Sequence, residues 1–161
     1  MPDIKRLDRN EWKTLRKLRL TALADSPDAF IATYKTEKKY RKASWLAEFA
    51  RGFWYVFEDD GRPIGLIGVV HYSHMPRDEC SLEFIWVSRN YRQSGIASDL
   101  IASVLKLLRE AQYRTAYLWV LDDNEVAIGL YKKLGFVSTN ERQPLKRRPG
   151  RSEERMMLDL R

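Results

Sequence analysis

Cysteine is nearly absent from this chain of 161 residues: Cys80 is the only one. No intrachain disulfide can form, and a secreted, disulfide-stapled framework is excluded. Histidine is almost as scarce. His71 and His74 form an H-x-x-H pair at the end of a strand-like run with no ligand set beside them, so no metal site is expected. Cys80 lacks a convincing histidine partner, which argues against a covalent cysteine mechanism. No apolar run approaches the ~20 residues that span a bilayer, and Met1–Arg6 lacks the apolar centre of a secretory leader. A cytoplasmic location with no membrane partner is expected. Neither G-x-x-x-x-G-K-[ST] nor G-x-G-x-x-G occurs, which removes two common nucleotide-binding loops. Repeats, low-complexity tracts and linkers are also missing, so one domain covering residues 1–161 is expected.

What is present suits a packed enzyme-sized domain. The composition is 44% hydrophobic and 12% aromatic, too apolar for a disordered chain. Trp45, Trp54, Trp86 and Trp119 read as core by spacing, with room for one at a ligand pocket. The formal net charge is +7, which suits an acidic partner: nucleic acid, a membrane surface or a phosphorylated cofactor. Five of the cations crowd into Arg142–Arg151, and that segment reads as a solvated basic loop. No motif that reads DNA or RNA accompanies the charge, so nucleic acid is not the expected partner.

Elements follow from periodicity. A strand near Ile4–Leu7 leads through Asp8-x-x-Glu11, a capping-box spacing, into a helix with Leu15, Leu18 and Ala22 on its apolar face. Asp25-Ser26-Pro27 ends it, because proline disfavours helical geometry in the preceding residue. A second helix is predicted over Thr36–Ala50 with Tyr40, Trp45 and Phe49 inward. Strands are predicted at Phe53–Glu58, Ile64–Tyr72 and Cys80–Val87, with a turn at Asp59–Pro63. Ile96–Gln112 carries Ala97, Leu100, Ile101, Val104, Leu105 and Leu108 as a helical stripe. Thr115–Leu121 reads as a buried strand. Asp122 and Glu125 have capping-box spacing ahead of a helix over Asn124–Leu134, stopped by Gly135. Phe136–Thr139 and Arg155–Leu160 complete the strands. Early hairpins followed by βαβ units predict a mixed sheet with helices on its faces.

The most informative stretch is Arg92-Gln93-Ser94-Gly95-Ile96-Ala97, between a strand and a long helix. A tight turn feeding a helix N-terminus leaves backbone N–H groups unpaired. The helix dipole adds about half a positive charge there. Together they form an anion site for which phosphate is the usual guest, and Gly95 permits close approach.

The run Glu83…Val87…Arg92-Gln93-Ser94-Gly95-Ile96-Ala97, followed by Asn124…Ala127…Tyr131-Lys132-Lys133-Leu134-Gly135-Phe136, resembles the GNAT superfamily of acyl-CoA-dependent N-acyltransferases. The matching region covers roughly Cys80–Thr139. The resemblance implies an α/β fold: a mixed, mostly antiparallel seven-stranded sheet flanked by about four helices and splayed between strands 4 and 5. It implies acetyl-CoA as co-substrate, with no metal, and a pantetheine arm in that gap. Arg92, Gln93, Ser94, Gly95, Ile96 and Ala97 would cradle the pyrophosphate through backbone N–H groups. Ser94 stands where the family pattern usually has a second basic residue, and Ala97 where it has a second glycine. The backbone of Ile85, Trp86 and Val87 would position the thioester and polarise its carbonyl. Asn124 would help hold the pantetheine arm, and Tyr131 would protonate the departing thiolate.

An alkylamine is almost wholly protonated near pH 7, so the acceptor must lose a proton. Glu83 is the candidate base. By strand alternation it faces away from Leu82 and Phe84, on the side of Ser81 and Ile85; Glu79 shares that parity as a weaker candidate. The expected activity is transfer of an acetyl group to a primary amine of a small molecule or peptide by direct attack. The cationic Arg142–Arg151 segment argues for an anionic or peptide-like acceptor and against polyamines and aminoglycosides. A non-catalytic acetyl-CoA-binding or sensing module is the alternative, although it would need neither Tyr131 nor Glu83. A homodimer stays open.

Overall fold

The computed structural model describes residues 2–161. Strand β1 (Asp3–Arg6) leads through a 3-10 turn at Arg9–Glu11 into helix α1 (Trp12–Asp25). The expected capping box is there: Asp8 accepts from the Asn10 N–H at 2.8 Å, and Glu11 accepts from the Asp8 N–H at 2.8 Å. The helix predicted over Thr36–Ala50 is instead two, α2 (Tyr34–Glu37) and α3 (Lys42–Arg51). The Thr33 hydroxyl caps α2. The chain turns in after it because Glu37, 2% exposed, reaches the interior to pair with Arg19 on α1. Tyr40 consequently falls in the break, exposed and edge-on to buried Trp45 rather than inward.

The remaining elements are β2 (Gly52–Asp59), β3 (Arg62–Val70), β4 (Glu79–Val87), α4 (Ile96–Glu110), β5 (Thr115–Leu121), α5 (Glu125–Lys133), β6 (Val137–Pro144) and β7 (Ser152–Asp159). The described residues thus carry five α-helices. The cap of α5 differs from the expected one: Asn124, not Asp122, accepts from the helix, taking the Ala127 N–H at 3.2 Å. Gly135 follows the helix with φ +102°, as a C-terminal stop requires. Strand β6 extends to Pro144 and β7 begins at Ser152, so Arg142 is a strand residue.

All seven strands form one sheet in the order β1-β2-β3-β4-β5-β7-β6. Neighbours pair antiparallel except β4 and β5, which run parallel. A parallel pair needs a crossover connection, and α4 supplies it. One face of the sheet packs on α4 and α5 through Leu82, Leu100, Ile101, Val104, Leu118, Tyr131, Phe136 and Met156. The other packs on α1 and α3 through Leu15, Leu18, Trp45, Trp54, Leu66 and Trp86.

Strand β4 does not alternate as expected. Its register to β3 passes from Gly68↔Glu83 to Leu66↔Trp86, so Phe84 and Ile85 stand opposite Ile67 alone. Phe84 has φ +52°, a left-handed conformation rare for an aromatic residue. This bulge reverses side-chain parity. Leu82 lies on the α4 face, but Phe84 and Trp86 turn to the α1 face, and Ile85 and Val87 to the α4 face. Gly68 sits opposite Glu83 at the bulge, and a Cβ there would come within 2.8 Å of the Trp54 ring.

Two clasps tie loops to this frame. Asp25, at the end of α1, binds Arg89 at 3.0 Å, contacts the Arg92 guanidinium, and accepts from the Trp86 indole at 3.4 Å and the Ser26 hydroxyl at 3.1 Å. Burial pushes the Asp25 carboxyl up, but the Ser26 and Trp86 hydrogen bonds and the Arg92 charge outweigh this and hold it below its ordinary value. The second clasp joins Arg142–Arg151 to the rest of the molecule. Arg147 donates to the Ile31 carbonyl at 3.2 Å, and Arg148 donates to the Pro27 and Phe30 carbonyls at 2.9 and 3.2 Å. Arg151 pairs with Asp123 at 2.9 Å, and Arg142 with Glu154 at 3.5 Å. The segment expected to be solvated is therefore largely engaged; of its five cations only Lys146 lacks a partner among the described residues.

Gly68→Ala is expected to destabilise the protein by about 1–3 kcal/mol, because the Trp54 ring must move; urea denaturation measures this. Asp25→Asn tests the first clasp. With a folded value below the ordinary 3.8, Asp25 contributes stability above that pH and loses it as pH falls through the folded value. The stability gap between wild type and Asp25→Asn should shrink as pH falls through and below the ordinary 3.8, read from denaturation midpoints at successive pH values.

Candidate functional site

Strands β4 and β5 pair over only three registers, Glu79↔Thr115, Cys80↔Ala116 and Ser81↔Tyr117. Beyond Ser81, a cavity of about 640 Å³ takes Leu82, Glu83, Phe84, Ile85 and Val87 from β4 and Trp119, Val120 and Leu121 from β5 as its walls. Helix α5 adds Ala127, Leu130 and Tyr131, with Asn124 at its cap, while Arg92 and Ala97 reach the cavity from the α4 end.

The turn ahead of α4 has the shape of an anion cradle. Gln93 and Gly95 have φ of +60° and +81°, and successive amides around such left-handed residues form an anion-binding concavity. Gly95 is the N-cap and supplies no side-chain hydrogen bond. The helical ladder starts with the Asp99 N–H to the Gly95 carbonyl at 3.0 Å, so the preceding first-turn amides have no helical acceptor. Nothing lies within 4 Å of where a Gly95 Cβ would stand. The Ser94 hydroxyl turns back to the Tyr91 carbonyl at 2.6 Å. Arg92 has the expected place but not a free charge. Its Nε donates to the Val87 carbonyl at 3.0 Å and its Nη2 to the Ser26 hydroxyl at 2.9 Å, beside Asp25.

Ile85 and Val87 face the cavity, whereas the Trp86 side chain packs among α1 residues on the other face. Tyr131 is 9% exposed and edge-on to Phe136 at 6.0 Å. Burial pushes its phenol up to about 12, so the hydroxyl is protonated at neutral pH. Among the described residues it has no hydrogen-bond partner.

Glu83 lines the cavity half-buried, in contact with the Tyr72 hydroxyl and 3.5 Å from Arg51. Tyr72 is pushed up to about 12, first by burial and then by donating to Glu83. Glu79, the weaker candidate base, is not among the residues that line the cavity and binds Arg114 at 2.8 Å.

Sequence reasoning missed much of the wall on the α1 side. Arg19 forms a two-pronged pair with Glu37 (2.8 and 2.6 Å) and lies 4.2 Å from the Phe84 ring centre. Phe84 stacks on Phe30 with centroids 4.2 Å apart. Glu153 on β7, 6% exposed, also faces the cavity and contacts the Gln143 amide. An arginine four residues past Leu15 on an apolar stripe was the available signal for Arg19. Glu153 was hidden because the strand containing it was expected to begin at Arg155. The tempting residues stay out of the cavity: His71 binds the Tyr113 hydroxyl at 2.7 Å, and burial pushes the Cys80 thiol up to about 12.

Known proteins bear on this geometry. The chain is 32% identical to N-acetyltransferase 8 of Rattus norvegicus over 100 residues, 61% of this chain and 45% of that protein. The chain spans about half the length of the curated relatives it matches. Its fold superposes on an acetyltransferase from Salmonella typhimurium solved with its cofactor acetyl-CoA, at a TM-score of 0.79 and 17% identity, covering 100% of this chain and 95% of that one. The ribosomal-protein-S18-alanine N-acetyltransferase of Escherichia coli superposes at a TM-score of 0.75 and 17% identity, covering 99% and 94%. The profile of the acetyltransferase (GNAT) family matches residues 16–136, and the chain belongs to that family.

Proposed function

We propose that this chain is a single N-acetyltransferase domain that moves an acetyl group from acetyl-CoA to a primary amine by direct attack. The observation that carries the reading is a cavity whose walls include Arg92 and Ala97 from the two ends of the turn before α4, the unpaired end of β4 and Tyr131. In this reading the open amides before α4 hold the pyrophosphate, aided by the helix dipole. The pantetheine arm runs along β4 where its pairing with β5 has ended, past Asn124. Backbone N–H groups of Ile85–Val87 hold the thioester and donate to the developing oxyanion, where stabilisation raises rate.

The acceptor nitrogen loses a proton to Glu83, directly or through water, and attacks the thioester carbon. The tetrahedral intermediate expels the thiolate, and the second proton on nitrogen is ultimately balanced by protonation of sulfur. Tyr131 donates to that sulfur. A phenol near 12 facing a thiol near 8.5 opposes full transfer by roughly 5 kcal/mol, so its main contribution is a hydrogen bond to the departing thiolate, with the proton replaced as the nitrogen releases its own. Arg92 acts mostly as a brace between Asp25 and Val87, so its charge is secondary to the amides.

Thiol release measured across primary amines, amino acids and peptide N-termini tests the activity. Tyr131→Phe is expected to lower kcat about 10²-fold while acetyl-CoA affinity changes little. Equal loss of both would remove Tyr131 from the chemistry.

A further inference from the structure

The cavity is unevenly supplied with counter-charges. Arg19 is bound by Glu37, Arg51 by Glu48 (3.1 Å) and Glu83 (3.5 Å), Arg92 by Asp25, and Arg148 by loop carbonyls. Each wall cation is thus already met. Glu83 is met as well, by Arg51 and Tyr72. Glu153 is different. It is 6% exposed, its Oε1 contacts only the neutral Gln143 amide, and its Oε2 has no partner among the described residues. A buried carboxylate without a counter-charge is costly, and this one opens onto the cavity.

Its direction follows from the register. Glu153 pairs with Leu121 on β5 and Gln143 on β6. It alternates with Glu154, Met156 and Leu158, and the latter two pack on the α4 face. Glu153 therefore stands on the face where α1 lies, the side reached by Phe30 and Phe84.

We propose that Glu153, oriented by Gln143, recognises the acceptor, and that the acceptor is a protonated amine carrying an apolar group that rests on the Phe30–Phe84 pair. The proposal rests on the acetyltransferase reading of this cavity. It reverses the expectation of an anionic acceptor drawn from the basic Arg142–Arg151 segment, because those arginines are already bound to carboxylates or carbonyls of the protein. Glu153 binds the ammonium group, and proton removal is left to Glu83.

The test uses calorimetric titration of the CoA-loaded protein with 2-phenylethylammonium, 2-phenylethanol and phenylacetate, which share a ring and differ in charge. Wild type should prefer the ammonium compound, and Glu153→Gln should weaken that compound about tenfold or more while leaving the alcohol unchanged. Glu153→Asp should fall between. Equal ammonium binding by wild type and Glu153→Gln, no ammonium binding by wild type, or a wild-type preference for phenylacetate would each overturn the proposal. If Glu153→Gln does not fold, the ranking of the three compounds on wild type still decides. CoA binding in the loading step is read separately, so its failure would count against the acetyltransferase reading and not against the charge preference.

Discussion

The bulge in β4 is the constraint on which the rest depends. A regular strand would show one apolar row to each face and could pair with β5 along its length. Here one additional residue at Phe84–Ile85 opposes Ile67. The left-handed Phe84 conformation is held because its ring is stacked on Phe30 and covered by the Arg19 guanidinium. Such backbone strain persists only when its surroundings over-determine it. By reversing parity, the bulge lets one short strand present Glu83 and Phe84 towards α1 and Ile85 and Val87 towards α4. The ladder to β5 ends at Ser81, just before the bulge, and the cavity begins there.

Charge has a second organising role. A net charge of +7 suggests a basic surface, yet many arginines are internal ties. Arg89 and Arg92 bind the end of α1 to the turn before α4, and Arg147 and Arg148 bind the β6–β7 loop to the backbone of residues 27–31. Arginine suits such work because its planar fork donates to several acceptors at once. The two walls of the cavity that come from distant sequence are thereby held in fixed relation without a disulfide. The family motif carries the turn itself, and these ties determine where the turn sits.

The family and the βαβ half of the fold were legible because their signals are local. Gly95 in a turn, the apolar stripe of α4 and the Tyr131–Phe136 run each depend on neighbours within a few residues. The break between α2 and α3 was not legible, since its cause is Arg19, eighteen positions before Glu37. Alternation placed Glu83 on the correct face and then misplaced Phe84 and Ile85, because a bulge leaves no mark in hydrophobic periodicity. Glu153 was invisible for a similar reason: its significance lies in having no ion-pair partner among the described residues, a property of packing alone. The basic segment misled because composition counts charges but cannot show which are already paired.

The space between β4, β5 and the Arg92–Ala97 turn is the proposed site of acetyl-CoA. The most direct measurement is calorimetric titration of the wild-type protein with acetyl-CoA, alongside 3′-dephospho-acetyl-CoA and free pantetheine. One site per chain is expected, retained without the 3′-phosphate and lost for pantetheine, if the amides before α4 grip the pyrophosphate. No binding of acetyl-CoA, or pantetheine binding as tightly as the full cofactor, would contradict it.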